Sequence, residues 1–228
     1  MEINLAVLLS NQFRPWIYWA VAGIQFLGVI ISFMISYLGI KAYKLTNDKK
    51  YKYFFYGFFF LALSFLANVT LNVLIRSGYA KYFVEKKYEL FVAPLFMAYY
   101  FCLIAVMLAY VSLAILYTDI KNFRKLWLFY FWTFVVGVYT FRDKFMFNMF
   151  SALLLSFVVI HSYDRYLEEK SKNRLLTCFA FLCLFLFHLF VLLEAVIPVF
   201  FIVRNLILLV GLVLLLLTLT KIYGRKKK

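Results

Sequence analysis

Ser64, Asn68, Asn72 and Arg76 follow one another at four-residue intervals inside a long apolar stretch. On a helix that spacing draws a gently drifting polar stripe along one face. Polar groups at membrane depth are costly, so lipid is a poor neighbour for such a stripe. Gln25, His188, Glu194, Arg204 and Asn205 interrupt other apolar runs in the same way. At 1.5 Å per residue, and with the topology argued below, all of them reach the outer half of the membrane, Arg204 and Asn205 lying roughly 10 to 15 Å below its surface. The chemistry these types offer is recognition. Arg204 supplies a buried cation, the asparagines and Gln25 supply neutral hydrogen bonds, and an outward-facing, water-accessible pocket among them suits a small anionic or strongly polar ligand. A second arrangement pairs Arg204 with Glu194 across the turn between the last two helices and leaves Asn68 and Asn72 as interhelical glue. The two are compatible, because a ligand can replace one partner of an ion pair.

Catalytic and metal-binding patterns have little to stand on. The two histidines, His161 and His188, fall at depths separated by roughly 15 Å along the membrane normal, which excludes a shared haem iron. His161 shares a helical face with Asp164 and Glu168, but Arg165, Lys170 and Lys172 beside them favour a solvated ion-pair surface over a cation site. Cys102, Cys178 and Cys183 all lie within apolar helices and read as small fillers, with no disulfide framework or metal quartet. A zinc-dependent seven-helix hydrolase of the ceramidase type needs histidines on the second and seventh helices, where this chain has none. A microbial rhodopsin needs a lysine midway along the seventh, which shows only Arg204 before Lys221. Glu168 and Glu169, expected in a loop, lack the arginine and histidine order of the CAAX-type proteases. No enzyme, cofactor or metal is therefore expected.

The elements that must position these groups are seven apolar stretches at about 17–40, 53–75, 90–117, 126–141, 145–162, 175–193 and 196–220. Each is about long enough to cross a hydrocarbon core, and only helices satisfy their own backbone there. With 66% hydrophobic and 15% charged residues among 228, the chain suits lipid rather than water. The fold expected is an all-α integral membrane protein, one seven-helix transmembrane domain over residues 1–228. The net charge of +15 is not a nucleic-acid signature, because 17 of the 25 Lys and Arg fall in alternate loops and the C-terminal tail and 7 on the opposite side. That bias places the N-terminus outside and the C-terminus in the cytoplasm. A cleaved signal peptide is not expected, since the first residues carry Glu2 and no basic region. The fourth and fifth stretches, split only by Arg142, Asp143 and Lys144, could also form one long helix or a hairpin that dips without crossing.

Trp16, Trp19 and Trp127 stand where indole rings favour the headgroup layer. The third stretch carries Ala98, Cys102, Ala105, Ala109 and Ser112 at helical spacing, a small-residue stripe that lets backbones approach and makes this helix central. An offset of 123 aligns Tyr43 with Tyr166, Lys49 with Lys172, Phe58 with Phe181, Leu61 with Leu184 and Val73 with Val196, as in carriers built from repeats. Such matches are weak in a chain this rich in Phe and Leu, and the Pro-Gln pair of the SWEET sugar transporters is absent. Residues 41–65, KAYKLTNDKKYKYFFYGFFFLALSF, form a basic loop and a Gly-Phe helix start. This segment resembles uncharacterised archaeal and bacterial seven-helix membrane proteins of sensor-module type. The resemblance implies an N-out topology and an outer ligand pocket. No kinase or cyclase domain follows Thr220, so a signal is expected to pass to a separate cytoplasmic or membrane partner. A small-molecule or lipid receptor or sensor, or an accessory membrane subunit, of the plasma membrane is the function expected. A small carrier of a polar solute and a structural subunit are the alternatives; terminal Pro94 and Pro198 and the Leu run to Leu217 disfavour the carrier.

Overall fold

The computed structural model describes residues 15–76, 88–118, 123–140, 143–194 and 200–225, with side chains over 19–73, 97–118, 124–140, 143, 145–194 and 200–221. These residues form seven helices and no strand: α1 Pro15–Thr46, α2 Lys49–Arg76, α3 Tyr88–Tyr117, α4 Phe123–Thr140, α5 Lys144–Glu169, α6 Lys172–Leu193 and α7 Phe200–Arg225. Six of them, all but α4, are long and apolar enough to cross a bilayer. The protein is thus a polytopic α-helical membrane protein, with lipid as the solvent of its outer surface. α4 has 18 residues, which at 1.5 Å per residue spans about 27 Å and carries Arg124 and Lys125 in its first turn.

Helix lengths differ from the apolar stretches at their polar ends. α1 continues past residue 40 to Thr46, and α5 past 162 to Glu169, which places Glu168 and Glu169 in a final helical turn rather than in a loop. A helix needs its hydrophobic face only where lipid surrounds it. Beyond that depth water solvates the polar side chains, and the helix runs on until a residue stops it. The stops are identifiable. Lys170 adopts a left-handed conformation at φ 46° and its N–H reaches the Tyr166 carbonyl, while Asn47 does the same at φ 54° with its N–H on Tyr43. Asp48, Asp143 and Ser171 then cap α2, α5 and α6, their side chains accepting from the backbone of Lys50, Phe145 and Arg174. Each cap satisfies a donor that the first helical turn leaves open.

Packing arranges six helices in a ring, α1, α2, α3, α5, α6, α7 and back to α1, with α4 outside it against α3 and lightly against α5. The Ser112 hydroxyl meets the Tyr130 hydroxyl at 3.0 Å, so α4 folds back along α3. The break between Thr140 and Lys144, where Asp143 is extended at φ −127°, excludes one long helix through residues 126–162. Small residues set the close approaches. At Gly57 a Cβ would stand 3.0 Å from Leu113 and 3.3 Å from the Ala109 carbonyl, and at Gly211 it would stand 2.8 Å from the Cys183 Cβ. α3 buries Cys102, Ala105, Ala109 and Ser112, as its stripe implies, and it touches α2, α4 and α5. The ring is filled by side chains, Phe58, Leu61, Tyr110, Leu113, Phe181, Leu184, Leu212 and Leu215 among them, each 1% exposed or less.

Candidate functional site

α6 is apolar from Phe179 to Leu193 except at Cys183 and His188. Its ring-facing side carries Phe181, Leu184, His188 and Val191 at steps of three and four, so packing draws the imidazole into the interior, where it is 2% exposed. There Nδ1 meets Asn148 Oδ1 of α5 at 2.8 Å and Nε2 meets the Tyr110 hydroxyl of α3 at 2.7 Å. A carbonyl oxygen only accepts, so Nδ1 carries the proton and Nε2 accepts from the tyrosine. Tyr110, 1% exposed, thereby joins α3 to α6, two helices whose backbones do not pack directly. Phe187 lies next to the imidazole, ring centroids 5.0 Å apart.

The Arg204 guanidinium sits over that same Phe187 ring at 5.8 Å and over Phe201 at 5.0 Å. Its Nη1 is 2.5 Å from Glu194 Oε2, with side chains 12% and 20% exposed. The angle is not that of a hydrogen bond: Glu194 Oε2 and Arg204 Nε are buried without a hydrogen-bond partner. Next along α7, Asn205 is fully buried and donates to the Phe201 carbonyl at 2.6 Å, while its Oδ1 has no partner. Glu194, Arg204, Phe187, His188, Tyr110 and Asn148 thus form one strip across α3, α5, α6 and α7, charged at the α6–α7 turn and neutral in the interior. The charged end holds a guanidinium and a carboxylate against each other. The neutral end presents acceptors and donors that are already matched to one another.

The remaining predicted groups lie elsewhere. Asn72 donates to Gln25 Oε1 at 3.2 Å, joining α2 to α1. Ser64 is 1% exposed and shares its hydroxyl with the Cys102 thiol of α3 at 3.3 Å, and the thiol also reaches the Ser64 carbonyl. Asn68, between them, is half-buried with no hydrogen bond among the described residues. The side chain of Arg76 lies outside the described residues, as do those of Trp16, Pro94 and Pro198. Four-residue steps advance about 40° each on a 3.6-residue helix, so over eight residues the stripe turns by about 80°. That drift carries it from the α3 side of α2 to the α1 side, and it serves two interfaces in place of one cavity wall.

Three residues of these networks were not singled out as polar contributors by sequence reasoning. Asn148 had a legible signal, a lone amide one turn into an apolar helix. Tyr110, one of 18 tyrosines, had none, and Cys102, a filler by its apolar surroundings, bonds Ser64 through its thiol. The helix-end acids and bases stay apart from the strip. His161 Nδ1 faces the carbonyl of Phe157 on its own helix at 2.9 Å, and Glu169 forms a two-pronged exposed pair with Arg174 at 2.8 and 2.9 Å. Among the described residues no three His, Cys, Asp or Glu gather as a metal site. No protein-family model matches the chain, and neither a curated protein nor a solved structure matches it.

Proposed function

We propose that the protein is a plasma-membrane receptor, sensor or accessory subunit, not an enzyme, which binds a small polar or anionic ligand at the α6–α7 end of the bundle. In this reading all seven helices, α4 included, cross the membrane. The N-terminus is outside by the charge bias of the loops, so the Arg204 site opens outward and the basic C-terminal tail faces a cytoplasmic or membrane partner. One observation carries the reading. Arg204 is a largely buried guanidinium balanced by one carboxylate among the described residues, with Nε unpartnered, and the Asn205 Oδ1 on the same turn of α7 is also unpartnered. Buried polar groups are nearly always satisfied, and orphaned ones at one turn of a helix call for a water or a ligand. A buried ion pair is weak as a stabilising device, whereas a cation held by one exchangeable carboxylate is well suited to selecting an anion. The continuous course of α7 through Gly211 offers no broken helix of the kind that carriers use for substrate, which favours binding over transport.

The test is a thermal-shift titration of the detergent-solubilised protein with succinate and with inorganic phosphate, compared with Arg204→Leu. Saturable stabilisation of the wild type that vanishes in the variant supports the reading. The same stabilisation in Arg204→Leu, or none with any anion or native lipid retained in mass spectrometry, refutes it.

A further inference from the structure

Asn47 and Lys170 are the non-glycine residues with positive φ among the described residues, and they stand 123 positions apart. Each ends the helix before it, and each is followed by a capping residue, Asp48 or Ser171, that opens the next. The same offset maps most of the burial pattern of α1–α2 onto α5–α6. Val29 and Ala152 are both 5% exposed, and Ser32 and Leu155, like Ile35 and Val158, are all fully buried. On the opposite face Phe26 and Met149, Ile30 and Leu153, and Tyr37 and Ile160 are all exposed pairs. Phe58 with Phe181 and Leu61 with Leu184 are buried pairs on the second helices. A shared helical period and phase align the two faces together; they do not also place the left-handed residue and the cap that follows it at the same offset.

The third helices correspond through the groups they bring to the paired positions 65 and 188. Phe65 and Leu212 both come within 3.6 Å of a Cβ at Gly28, and His188, the counterpart of Phe65, meets the Tyr110 hydroxyl at 2.7 Å. Leu212 therefore matches Tyr110. The ring obeys the same exchange: the α3–α5 seam corresponds to the α7–α1 seam, and α4 stands outside both. α1 and α5 run in the same direction, so the relating axis lies along the bundle, as in parallel repeats.

One consequence concerns the strip described above. A Cβ at Gly28 would meet Phe65 at 3.4 Å and Leu212 at 3.6 Å, so α1, α2 and α7 close their seam with apolar groups. The counterparts of Gly28, Phe65 and Leu212 are Ser151, His188 and Tyr110, all 2% exposed or less. We infer that the chain consists of two copies of one three-helix unit, α1–α3 and α5–α7, joined by α4, and that Tyr110 and His188 are a functional polar replacement at a seam whose packing an apolar Leu–Phe pair satisfies in the other copy. Buried polar pairs contribute little net stability, and replacing both partners with apolar groups of suitable shape is close to neutral. The molecule holds its own apolar solution for this place. The pair is therefore present for recognition or signalling within the bundle and not to fill it. This inference concerns the neutral end of the strip, and its test leaves Arg204 and Glu194 in place.

The experiment is the seam exchange Tyr110→Leu with His188→Phe in the full chain, read by thermal unfolding in detergent. The double variant is expected to melt at or above the wild-type temperature, while His188→Phe alone and Tyr110→Leu alone melt lower. A double variant that melts below the wild type overturns the functional role of the pair. The duplication is read separately by spin-label distances in a chain with the native cysteines replaced by alanine. A two-fold exchange requires the distance between positions 37 and 179 to equal that between 160 and 56, within the spread of the label. Clearly unequal distances overturn the repeat, whatever the double variant does.

Discussion

Tyr110→Phe removes one oxygen and nothing else. The ring keeps its place, no cavity forms, and the cost arises almost wholly at His188, whose Nε2 loses the hydroxyl 2.7 Å away. The imidazole is 2% exposed, so water does not reach Nε2 unless the seam opens. A buried acceptor left without a partner costs about 1–3 kcal/mol. Hydrogen bonds between membrane helices average nearer ~0.6 kcal/mol, with a maximum of about 1.7, because the separated helices also find partners. The burial of this pair places it toward the upper end of the membrane range, about 1–2 kcal/mol. For a chain of this size that corresponds to a fall in Tm of roughly 2–8 °C. The assay is thermal or denaturant unfolding in bicelles, with Tyr139→Phe as control, since Tyr139 is 85% exposed and should change nothing. Equal stability of Tyr110→Phe and wild type would refute the assignment of the Tyr–His bond as the tie between α3 and α6. So would a fall of the same size in the control.

Other expectations follow from the helix contacts and ends. Gly211→Ala forces a Cβ to 2.8 Å from that of Cys183; overpacking costs about 1–3 kcal/mol and exceeds the helix-propensity gain of about 1, so net destabilisation by unfolding assay is expected. Gly23→Ala has open space and should stabilise by up to about 1 kcal/mol in the same assay. Lys170→Gly relieves the left-handed strain at φ 46° and should raise Tm slightly, by about 1 kcal/mol or less. Glu169→Gln breaks the exposed pair with Arg174, whose side chains are 39% and 51% exposed; the coupling in a double-mutant cycle should stay below about 1 kcal/mol and shrink further in high salt.

Apolar length and composition were enough to read the class of this protein, because lipid tolerates neither an unpaired backbone nor a bare charge and the chain must write that constraint along its length. The small-residue stripe of α3 was legible for the same reason: a helix near several others needs room for their backbones. The Arg204–Glu194 pair could be foreseen from two opposite charges flanking a short turn, and the Gln25–Asn72 bond as one of the interhelical contacts open to a buried amide. Partner choice across the ring was not legible. Whether Ser64 would face α3 and Asn72 α1 depended on where α2 sits between its neighbours, and the stripe of four-residue steps looks the same in either case. Tyr110 became the partner of His188 only because α4 lies outside the ring and brings α3 against α5. The repeat, too, was faint in residue identities and became plain only in turns, burial and close contacts. Side-chain types record the solvent each position meets, and that much is local; which groups meet one another is decided by helix order, tilt and rotation, which no single stretch of sequence contains.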